Sequence, residues 1–276
     1  MEELLSKQER LVGVLRDMRR VAVAYSGGLD SSYLLKVAHD TLGGGALAVT
    51  VRTAATPYQE YEQAQAFCTS RGIAFLTADM DIFTIDGFAS NPSDRCFLCK
   101  KKMMQSIIGL ARVRGFSSVA DGSNTDDERD YRPGQAALDQ LGIVSPLREA
   151  GLAKPEIREL SRRLELPTWD KPPMACLVTR IPYGQRITAE RLARIRKAES
   201  CLLAMGLGQV RVRDHGDTAR IETDGNGIRI LLEPDARACV NDKLKMLGYA
   251  FVSVDLQGYR TGSMDRPQCF TLANQG

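Results

Sequence analysis

The sequence predicts an α/β protein with two domains, a larger one built on a parallel sheet and a smaller α+β domain that follows it. Over the first half of the chain, short apolar runs alternate with helix-like stretches, as in a parallel sheet covered by helices. Prolines then interrupt regular structure at positions 167, 172, 173 and 182, and a shorter mixture of helices and strands follows. We therefore expect one domain over residues 1–170 and another over 171–276.

The predicted elements follow in a regular order. After an amphipathic helix and a strand from Val21, further strands are expected at 46–51, 73–76, 118–120 and 143–144, with helices at 58–71, 97–114 and 156–166 between and after them. The second domain should hold helices at 189–205 and 235–247 and strands at 209–213, 218–222 and 250–255. Ligands of such sheets bind beyond the carboxyl ends of the strands, so the loops after the first strand and after Ala120 should meet in one cleft.

Composition narrows the class of protein. A chain of 276 residues, 43% of them hydrophobic, can bury a substantial core. No signal peptide or membrane-length apolar run is apparent, and the seven cysteines are expected to be free thiols or metal ligands and not disulfides. We therefore expect a cytoplasmic protein without a membrane partner.

The net charge is +3, with a basic excess over residues 148–200, which favours a phosphorylated small molecule over a nucleic acid as the ligand. Two histidines argue against His-based metal sites and Ser-His-Asp chemistry.

The loop after the first strand carries the strongest chemical signal. Its sequence, Ser26-Gly27-Gly28-Leu29-Asp30-Ser31, lies between a strand and a helix. Paired glycines allow successive backbone N–H groups to converge on one anion, and the helix start adds its positive end. A kinase-type phosphate loop is absent from the sequence, so AMP and pyrophosphate are the expected products, with Mg²⁺ held by Asp30. The alternative is a simple glycine turn with an N-cap.

Three cysteines form a second candidate site. Cys96 and Cys99 are spaced as Cys-x-x-Cys at a predicted helix entrance, where the helix dipole and nearby lysines would lower thiol pKa. Cys176 lies in a proline-flanked loop. Together these thiols could bind three irons of a [4Fe–4S] cluster and leave the fourth iron open, whereas zinc would lack an obvious fourth ligand. The other four cysteines, at positions 68, 201, 239 and 269, are expected to be inert.

Two further polar segments each have two interpretations. The acidic run from Asp121 to Glu128 follows a predicted strand, where Gly122 would let the backbone approach the nucleotide and Asp127 or Glu128 would meet a metal or substrate; it also suits a capped turn. Arg211 and Arg213 alternate along a strand and should point to one face, as a phosphate clamp or as a surface pair. Glu199, Glu222 and Arg180 are candidate neighbours.

Over nearly its whole length the chain resembles the LarE family of ATP-dependent sulfur transferases, which are similar to N-type ATP pyrophosphatases with a PP-loop. The resemblance rests on the following segments: Ser26–Ser31, Asp121-Gly122, 127–134, Cys176, 181–184, 211–213 and 219–222. It implies adenylation of each carboxylate of a pyridinium dicarboxylate mononucleotide, followed by replacement of AMP with sulfur. It also implies a PP-loop domain of the adenine nucleotide alpha-hydrolase type and, often, a homo-oligomer.

The resemblance also assigns residues. It gives ATP to Ser26, Gly27, Gly28, Asp30 and Ser31, sulfur delivery to Cys176, the substrate phosphate to Arg180, Arg211 and Arg213, and an acidic metal site to Glu199 and Glu222. One form of the family sacrifices its single cysteine, and another has three cysteines and resembles cluster-dependent tRNA thiolases. Cys96 and Cys99 place this chain with the second form, so Cys176 is expected to be a cluster ligand. The sulfur donor is not implied.

Three alternatives remain open at this level. A tRNA thiolase would bind tRNA in a salt-sensitive manner. An amide-forming ligase of the same fold would make AMP without needing any cysteine. A non-catalytic nucleotide-binding regulatory module would bind ATP without turnover on a carboxylate.

Overall fold

The computed structural model describes residues 2–128, 133–172, 175–260 and 263–264. The chain forms two compact units, the first comprising Met1–Phe88 and Ser93–Ala175 and the second Ala89–Pro92 and Cys176–Gly276. The second unit thus takes up the chain at Cys176, five residues after the domain start predicted at residue 171. Of the helices that the structure describes, none is both long enough and apolar enough to cross a bilayer.

The first unit is a parallel sheet with helices. Its elements in chain order are α1 (Glu2–Met18), β1 (Val21–Ala24), α2 (Leu29–Leu42), β2 (Ala46–Arg52), α3 (Tyr58–Ser70), β3 (Ala74–Asp79), α4 (Arg95–Val113), β4 (Ser118–Ala120), α5 (Pro133–Gln140), α6 (Pro146–Glu149) and α7 (Lys154–Arg163). The four strands lie in the order β3-β2-β1-β4, and all are parallel. The α/β prediction for this part of the chain is confirmed.

The apolar sequence of the central strands explains why they lie inside. β1 reads Val-Ala-Val-Ala and β2 begins Ala-Leu-Ala-Val, so both faces of each strand can be covered by helices. Side chains of β1, α2 and α7, among them Val23, Leu34 and Ile157, belong to one buried core. The strand predicted at 143–144 is wrong: Val144 forms only an isolated parallel bridge with Ala120, because Pro146 starts α6 two residues later and leaves no length for a ladder.

The second unit is a small α+β structure. It contains a 3-10 turn (Leu177–Arg180), α8 (Ala189–Ala204), β5 (Val210–Asp214), β6 (Thr218–Thr223), α9 (Gly225–Leu232), α10 (Pro234–Met246) and β7 (Phe251–Val254). β5 and β6 are antiparallel, and β6 and β7 are parallel. One face of the sheet, with Val212 and Ile221, packs into a core with α8 and α10. Because side chains alternate along strands, the opposite face carries Arg211, Arg213 and their cross-strand neighbours.

Candidate functional site

The candidate site of the first unit lies where the direction of the sheet connections reverses. From β1 the chain builds the sheet outward through β2 and β3, and then returns to place β4 on the other side of β1. The loops that follow β1 and β4 therefore leave the same edge of the sheet side by side. A Cβ atom at Gly122 would lie only 3.0 Å from the backbone nitrogen of Ser31. The two loops meet as predicted, and glycine is what permits their contact.

Hydrogen bonds between Ser26 and Ser31 fix the conformation of the loop after β1. The Ser31 hydroxyl accepts a hydrogen bond from the Ser26 backbone N–H at 3.3 Å, and the two side-chain oxygens lie 3.0 Å apart. Gly27 has a φ of 73°, a conformation that favours glycine. Gly28 is the N-cap residue of α2, and because glycine has no side chain to cap a helix, the first-turn N–H groups can serve as donors for an anion.

A cavity of about 320 Å³ opens beside this loop. Of the predicted nucleotide residues, five line it: Ser26, Gly28, Asp30, Ser31 and Gly122. The wall also includes Asp127 from the acidic run, Glu60 from α3, and Lys100 with Met103 from α4. Gly27 instead lines a second cavity, of about 780 Å³. The Gly27–Gly28 peptide thus separates two cavities of the same unit.

Sequence reasoning assigned Lys100 only to the surroundings of the cysteine pair and not to the nucleotide site, although its ammonium lies 3.8 Å from the Asp121 carboxylate. In the sequence it opens a run of three lysines, and such a run is ordinarily a solvated helix face. Its position directly after the Cys-x-x-Cys pair was the available signal. A second ammonium, on Lys154, lies 3.8 Å from the carboxylate of Asp30. Two cations therefore stand beside the carboxylates of the candidate nucleotide site.

The acidic run divides between structural roles and the cavity. Asp121 is almost fully buried and accepts hydrogen bonds from the hydroxyls of Ser123 and Ser145 at 2.6 and 2.8 Å. Asp126 accepts the backbone N–H of Lys154, the first residue of α7, at 2.8 Å. These carboxylates satisfy turns and a helix start, and Asp121 also lines the cavity. Asp127 lines the cavity as well and accepts the Asn124 backbone N–H at 3.0 Å. The backbone of Glu128 ends a short 3-10 turn, but its side chain lies outside the described residues.

The Cys-x-x-Cys pair lies within the first two turns of α4. Cys96 is exposed and Cys99 is half-buried. The Cys99 thiol donates a hydrogen bond to the Met103 sulfur over 3.7 Å, and Met103 itself lines the nucleotide cavity. Because residues i and i+4 share a helix face, the Cys99 thiol lies about one turn from Met103 on the cavity wall.

In the second unit, Cys176 precedes a 3-10 turn and is exposed. Its carbonyl oxygen accepts hydrogen bonds from the Thr179 hydroxyl at 2.8 Å and from Nη1 of Arg180 at 3.2 Å. Arg180 is buried and also binds both carboxylate oxygens of Glu199, at 2.8 and 3.1 Å. Glu199 in turn accepts the backbone N–H of Val212 at the edge of β5, at 2.9 Å. A continuous polar network therefore fixes the backbone of Cys176.

Arg211, Arg213 and Glu222 lie on one face of the sheet, close to this network. Arg213 donates to Glu222 at 2.6 Å and to the Thr179 carbonyl oxygen at 3.0 Å. Burial and the nearby Arg180 guanidinium lower the pKa of Arg211. The structure thus brings together the residues singled out in this part of the sequence: Arg180, Glu199, Arg211, Arg213 and Glu222. This group has three guanidinium groups and two carboxylates, and its excess of positive charge favours the binding of an anion.

Sequence reasoning gave no role to Arg220, although it lies two residues before Glu222 on the same face. Its guanidinium donates to Glu222 at 3.1 Å and lies 3.2 Å from Asp255. Glu222 is fully buried between Arg213 and Arg220. Both candidate metal carboxylates, Glu199 and Glu222, are therefore neutralised by guanidinium groups.

No described group of three or more His, Cys, Asp and Glu side chains is arranged to hold a metal ion. Cys96 and Cys99 belong to the first unit and Cys176 to the second.

Cys68 is buried in the core, where burial raises the pKa of its thiol to about 12. Cys201 and Cys239 are half-buried, and Cys269 lies outside the described residues. His39 lies on α2, and His215 lies in the turn between β5 and β6.

Known proteins provide a comparison for both units. The chain is 38% identical over 263 residues to an uncharacterised protein of Synechocystis, with 95% of this chain and 98% of that protein covered. It is 35% identical over 266 residues to the pyridinium-3,5-bisthiocarboxylic acid mononucleotide synthase of Lactiplantibacillus plantarum, with 96% of each covered.

A more distant match is confined to part of the chain. One subunit of the glutamine-hydrolysing GMP synthase of Archaeoglobus fulgidus is 27% identical over 167 residues, covering 54% of this chain and 52% of that protein. No family model matches the chain. The similarity to the Lactiplantibacillus synthase extends over nearly the whole chain. The first unit also has a parallel sheet with a glycine loop at the point where the strand order reverses. On these grounds the chain belongs to the LarE family, that of pyridinium-3,5-bisthiocarboxylic acid mononucleotide synthase, within the PP-loop superfamily.

Proposed function

We propose that the protein inserts sulfur into a pyridinium dicarboxylate mononucleotide at the expense of ATP, in the synthesis of a nickel-pincer nucleotide cofactor. ATP adenylates each carboxylate, and sulfur then replaces AMP to give thiocarboxylates. The observation that carries this proposal is the 35% identity over 96% of both chains to a synthase of that product. The candidate nucleotide cavity supports the ATP-dependent half, and the exposed Cys176 supports the sulfur-dependent half.

In the first half-reaction a carboxylate oxygen of the substrate attacks the α-phosphorus of ATP, and pyrophosphate leaves. The N–H groups of the PP-loop and the hydroxyls of Ser26 and Ser31 would bind the departing pyrophosphate. Asp30 would hold Mg²⁺, since its carboxylate lies at the start of α2 and lines the cavity. The ammonium of Lys100, on the same cavity wall, is suited to stabilise charge on the α-phosphate. Gly27 gives the loop its backbone turn, and Gly122 lets the loop after β4 lie against the loop after β1.

In the second half-reaction a sulfur nucleophile attacks the acyl carbon, and AMP leaves with the bonding electron pair. Cys176 is the proposed point of sulfur delivery. Arg211 and Arg213 are proposed to bind the phosphate of the substrate. Arg180 is proposed to hold the loop that contains Cys176, through its hydrogen bond to the Cys176 carbonyl oxygen. Glu199 and Glu222 then balance the charge of these arginines, and Glu128 is a further candidate for a substrate contact.

A [4Fe–4S] cluster is the proposed carrier of the transferable sulfur, and the donor of that sulfur is left open. Thiolates are the ligands that such clusters take, and Cys96 and Cys99 occupy positions i and i+3 on one face of α4, so their chemistry and spacing fit the group. Cys176 is the proposed third ligand. When bound, the cluster supplies nucleophilic sulfur without consuming a cysteine. We further propose that the protein acts in the cytoplasm as a homo-oligomer.

The proposal is tested by anaerobic turnover of the purified protein with Mg-ATP, added sulfide and pyridinium-3,5-biscarboxylic acid mononucleotide. AMP and pyrophosphate should form in equal amounts, and mass spectrometry should show replacement of oxygen by sulfur in the product. Nicotinic acid mononucleotide, which has one carboxylate fewer, serves as the substrate control. Formation of ADP, or AMP formation without any thiocarboxylate, would overturn the proposal.

A further inference from the structure

The back of the PP-loop, on the side away from the nucleotide cavity, is bound by one lysine. The Lys171 ammonium donates three hydrogen bonds: to the Gly27 carbonyl oxygen at 3.0 Å, to the Glu60 carboxylate at 2.6 Å and to the Gln63 side-chain oxygen at 3.0 Å. An ammonium has three donors, so its hydrogen-bonding capacity is filled. All of these groups belong to the first unit.

The surroundings of Lys171 hold it in place. Its side chain is only 14% exposed, and that of Glu60 only 11%. Its backbone N–H donates to the carbonyl oxygen of Thr168 at 3.2 Å, so the residue closes a turn in the segment after α7. The partners Glu60 and Gln63 both lie on α3, which also packs Ala64 against the loop, 3.3 Å from the position of a Cβ on Gly27. The loop is thus held between α3 and this turn.

Peptide planarity links this contact to the nucleotide cavity. In a trans peptide the carbonyl oxygen of one residue and the N–H of the next point in opposite directions. The Gly27 carbonyl oxygen faces Lys171, and Gly27 and Lys171 both line the larger cavity. The Gly28 N–H donates a hydrogen bond to the Ser26 hydroxyl over 3.4 Å, and both residues line the nucleotide cavity. Glycine on both sides of this peptide would otherwise let it rotate easily.

We infer that Lys171 is a positioning residue for pyrophosphate binding: by holding the Gly27 carbonyl oxygen, it keeps the Gly28 N–H directed into the nucleotide cavity. It also compensates the charge of Glu60, a carboxylate that lines both cavities and would repel an anion in the loop. The inference rests on the proposed function to the extent that the loop binds the β- and γ-phosphates of ATP. Lys171 itself lies outside the nucleotide cavity and makes no substrate contact in this scheme.

The test is calorimetric binding of Mg-ATP and of AMP to the full-length protein and to Lys171→Met. We expect the Kd for Mg-ATP to rise at least tenfold, because a charge-assisted hydrogen bond to the loop is lost, while the Kd for AMP changes less than twofold. Lys36→Met is the matched control: it removes a lysine of α2 that pairs with the exposed Asp40, and it should leave both constants within twofold. An unchanged Kd for Mg-ATP in a folded Lys171→Met protein would overturn the inference.

Two further variants separate positioning from charge. Lys171→Arg keeps a donor for Gly27 and Glu60 and should bind Mg-ATP within about threefold of the parent protein; a tenfold loss in that variant would also overturn the inference. Glu60→Gln combined with Lys171→Met restores the local charge but not the hold on Gly27, so binding should stay weak. Recovery to the parental Kd would overturn the positioning role and would show that Lys171 acts only by compensating the charge of Glu60. A parent protein that binds no Mg-ATP would instead refute the proposed function.

Discussion

The guanidinium group of Arg180 donates a hydrogen bond to the backbone carbonyl oxygen of Cys176 while its other edge binds the Glu199 carboxylate through two nitrogen atoms. The side chain of Arg180 is only 1% exposed. A charged group buried in this way is tolerated because each of its edges is hydrogen-bonded. The relationship makes the backbone of the proposed sulfur-delivery residue depend on a residue four positions later and on a helix, α8.

Replacing Arg180 should therefore cost both stability and sulfur transfer. Arg180→Met leaves the Glu199 carboxylate without its buried partner, and we expect a loss of about 3–5 kcal/mol in the free energy of unfolding. Urea unfolding measures this loss. Arg162→Met, which removes an exposed pair with Glu159, should cost no more than about 1 kcal/mol. Equal effects of the two substitutions would contradict the burial argument.

Cys176→Ser should separate the two half-reactions. Adenylation uses the PP-loop cavity of the first unit, whose described lining does not include Cys176, so AMP-linked substrate should still form. Sulfur transfer should be lost, because the thiol is gone. Mass spectrometry of the quenched reaction distinguishes adenylated from thiolated substrate, and Cys239→Ser on α10 is the cysteine control. Loss of adenylation as well would mean that Cys176 has a structural role.

Iron and sulfide content tests the cluster proposal. Protein isolated without oxygen should contain both, and Cys96→Ser or Cys99→Ser should lose most of the iron, because a cluster with one thiolate removed is poorly held. Cys201→Ser should retain it. After turnover the intact mass of the protein should be unchanged. A metal-free protein whose Cys176 becomes dehydroalanine, one for each sulfur transferred, would identify the sacrificial mechanism instead.

Gly122→Ala should weaken nucleotide binding through a steric effect. The added Cβ would lie 3.0 Å from the nitrogen and 3.2 Å from the Cα of Ser31, both backbone atoms. We expect the steric overlap to cost about 1–3 kcal/mol, as for overpacking, and to raise the Kd for Mg-ATP by about fivefold or more. Gly13→Ala on α1 is the matched control, since its Cβ would meet nothing within 4 Å. ATP binding that is equal in both variants would rule out the close approach.

The stability of the protein should fall in mildly acidic solution because of His215. Burial, followed by the nearby Arg220 and Arg213 guanidiniums, lowers the pKa of His215, although Asp214 and Glu222 act in the opposite direction. A lowered pKa means that the unfolded chain binds the proton more readily, so stability is fully present above about pH 6.5 and decreases as the pH falls towards the native pKa. Thermal midpoints between pH 5 and 8 should vary less in His215→Asn than in the parent protein. Identical pH profiles would contradict this assignment.

The sequence predicted the elements that have strong periodicity or a strong motif. β1, the PP-loop and α2 are found where expected, because apolar alternation, paired glycines and an amphipathic helix all agree there. α9 was missed, because Gly225-Asn226-Gly227 reads as a turn, whereas Asp224 caps the helix by accepting the N–H of Gly227 at 2.7 Å. The Asp224 N-cap is itself a local signal, but the low helix propensity of the two glycines that follow it concealed the helix.

Candidate site residues were predictable to the extent that their type is unusual in the sequence. Cys96, Cys176 and the Arg211/Arg213 pair stand out by residue type and spacing. Lys100 and Lys171 do not, because lysine is ordinarily a solvated residue and only the fold brings these two to the walls of cavities. Their contacts join segments more than 20 and more than 100 residues apart, a separation over which sequence periodicity carries no information.

The hydrogen bond from Val212 to Glu199 has a consequence for assembly. Among the strands that the structure describes, β5 lies at one edge of its sheet, and an edge with open amides is a template on which another chain can pair and aggregate. At Val212 the outward amide is already occupied by a carboxylate, and the neighbouring Arg213 is turned towards Glu222. A foreign strand approaching β5 at Val212 would have to displace a buried carboxylate before it could pair, so the network around Cys176 also blocks strand addition at this position.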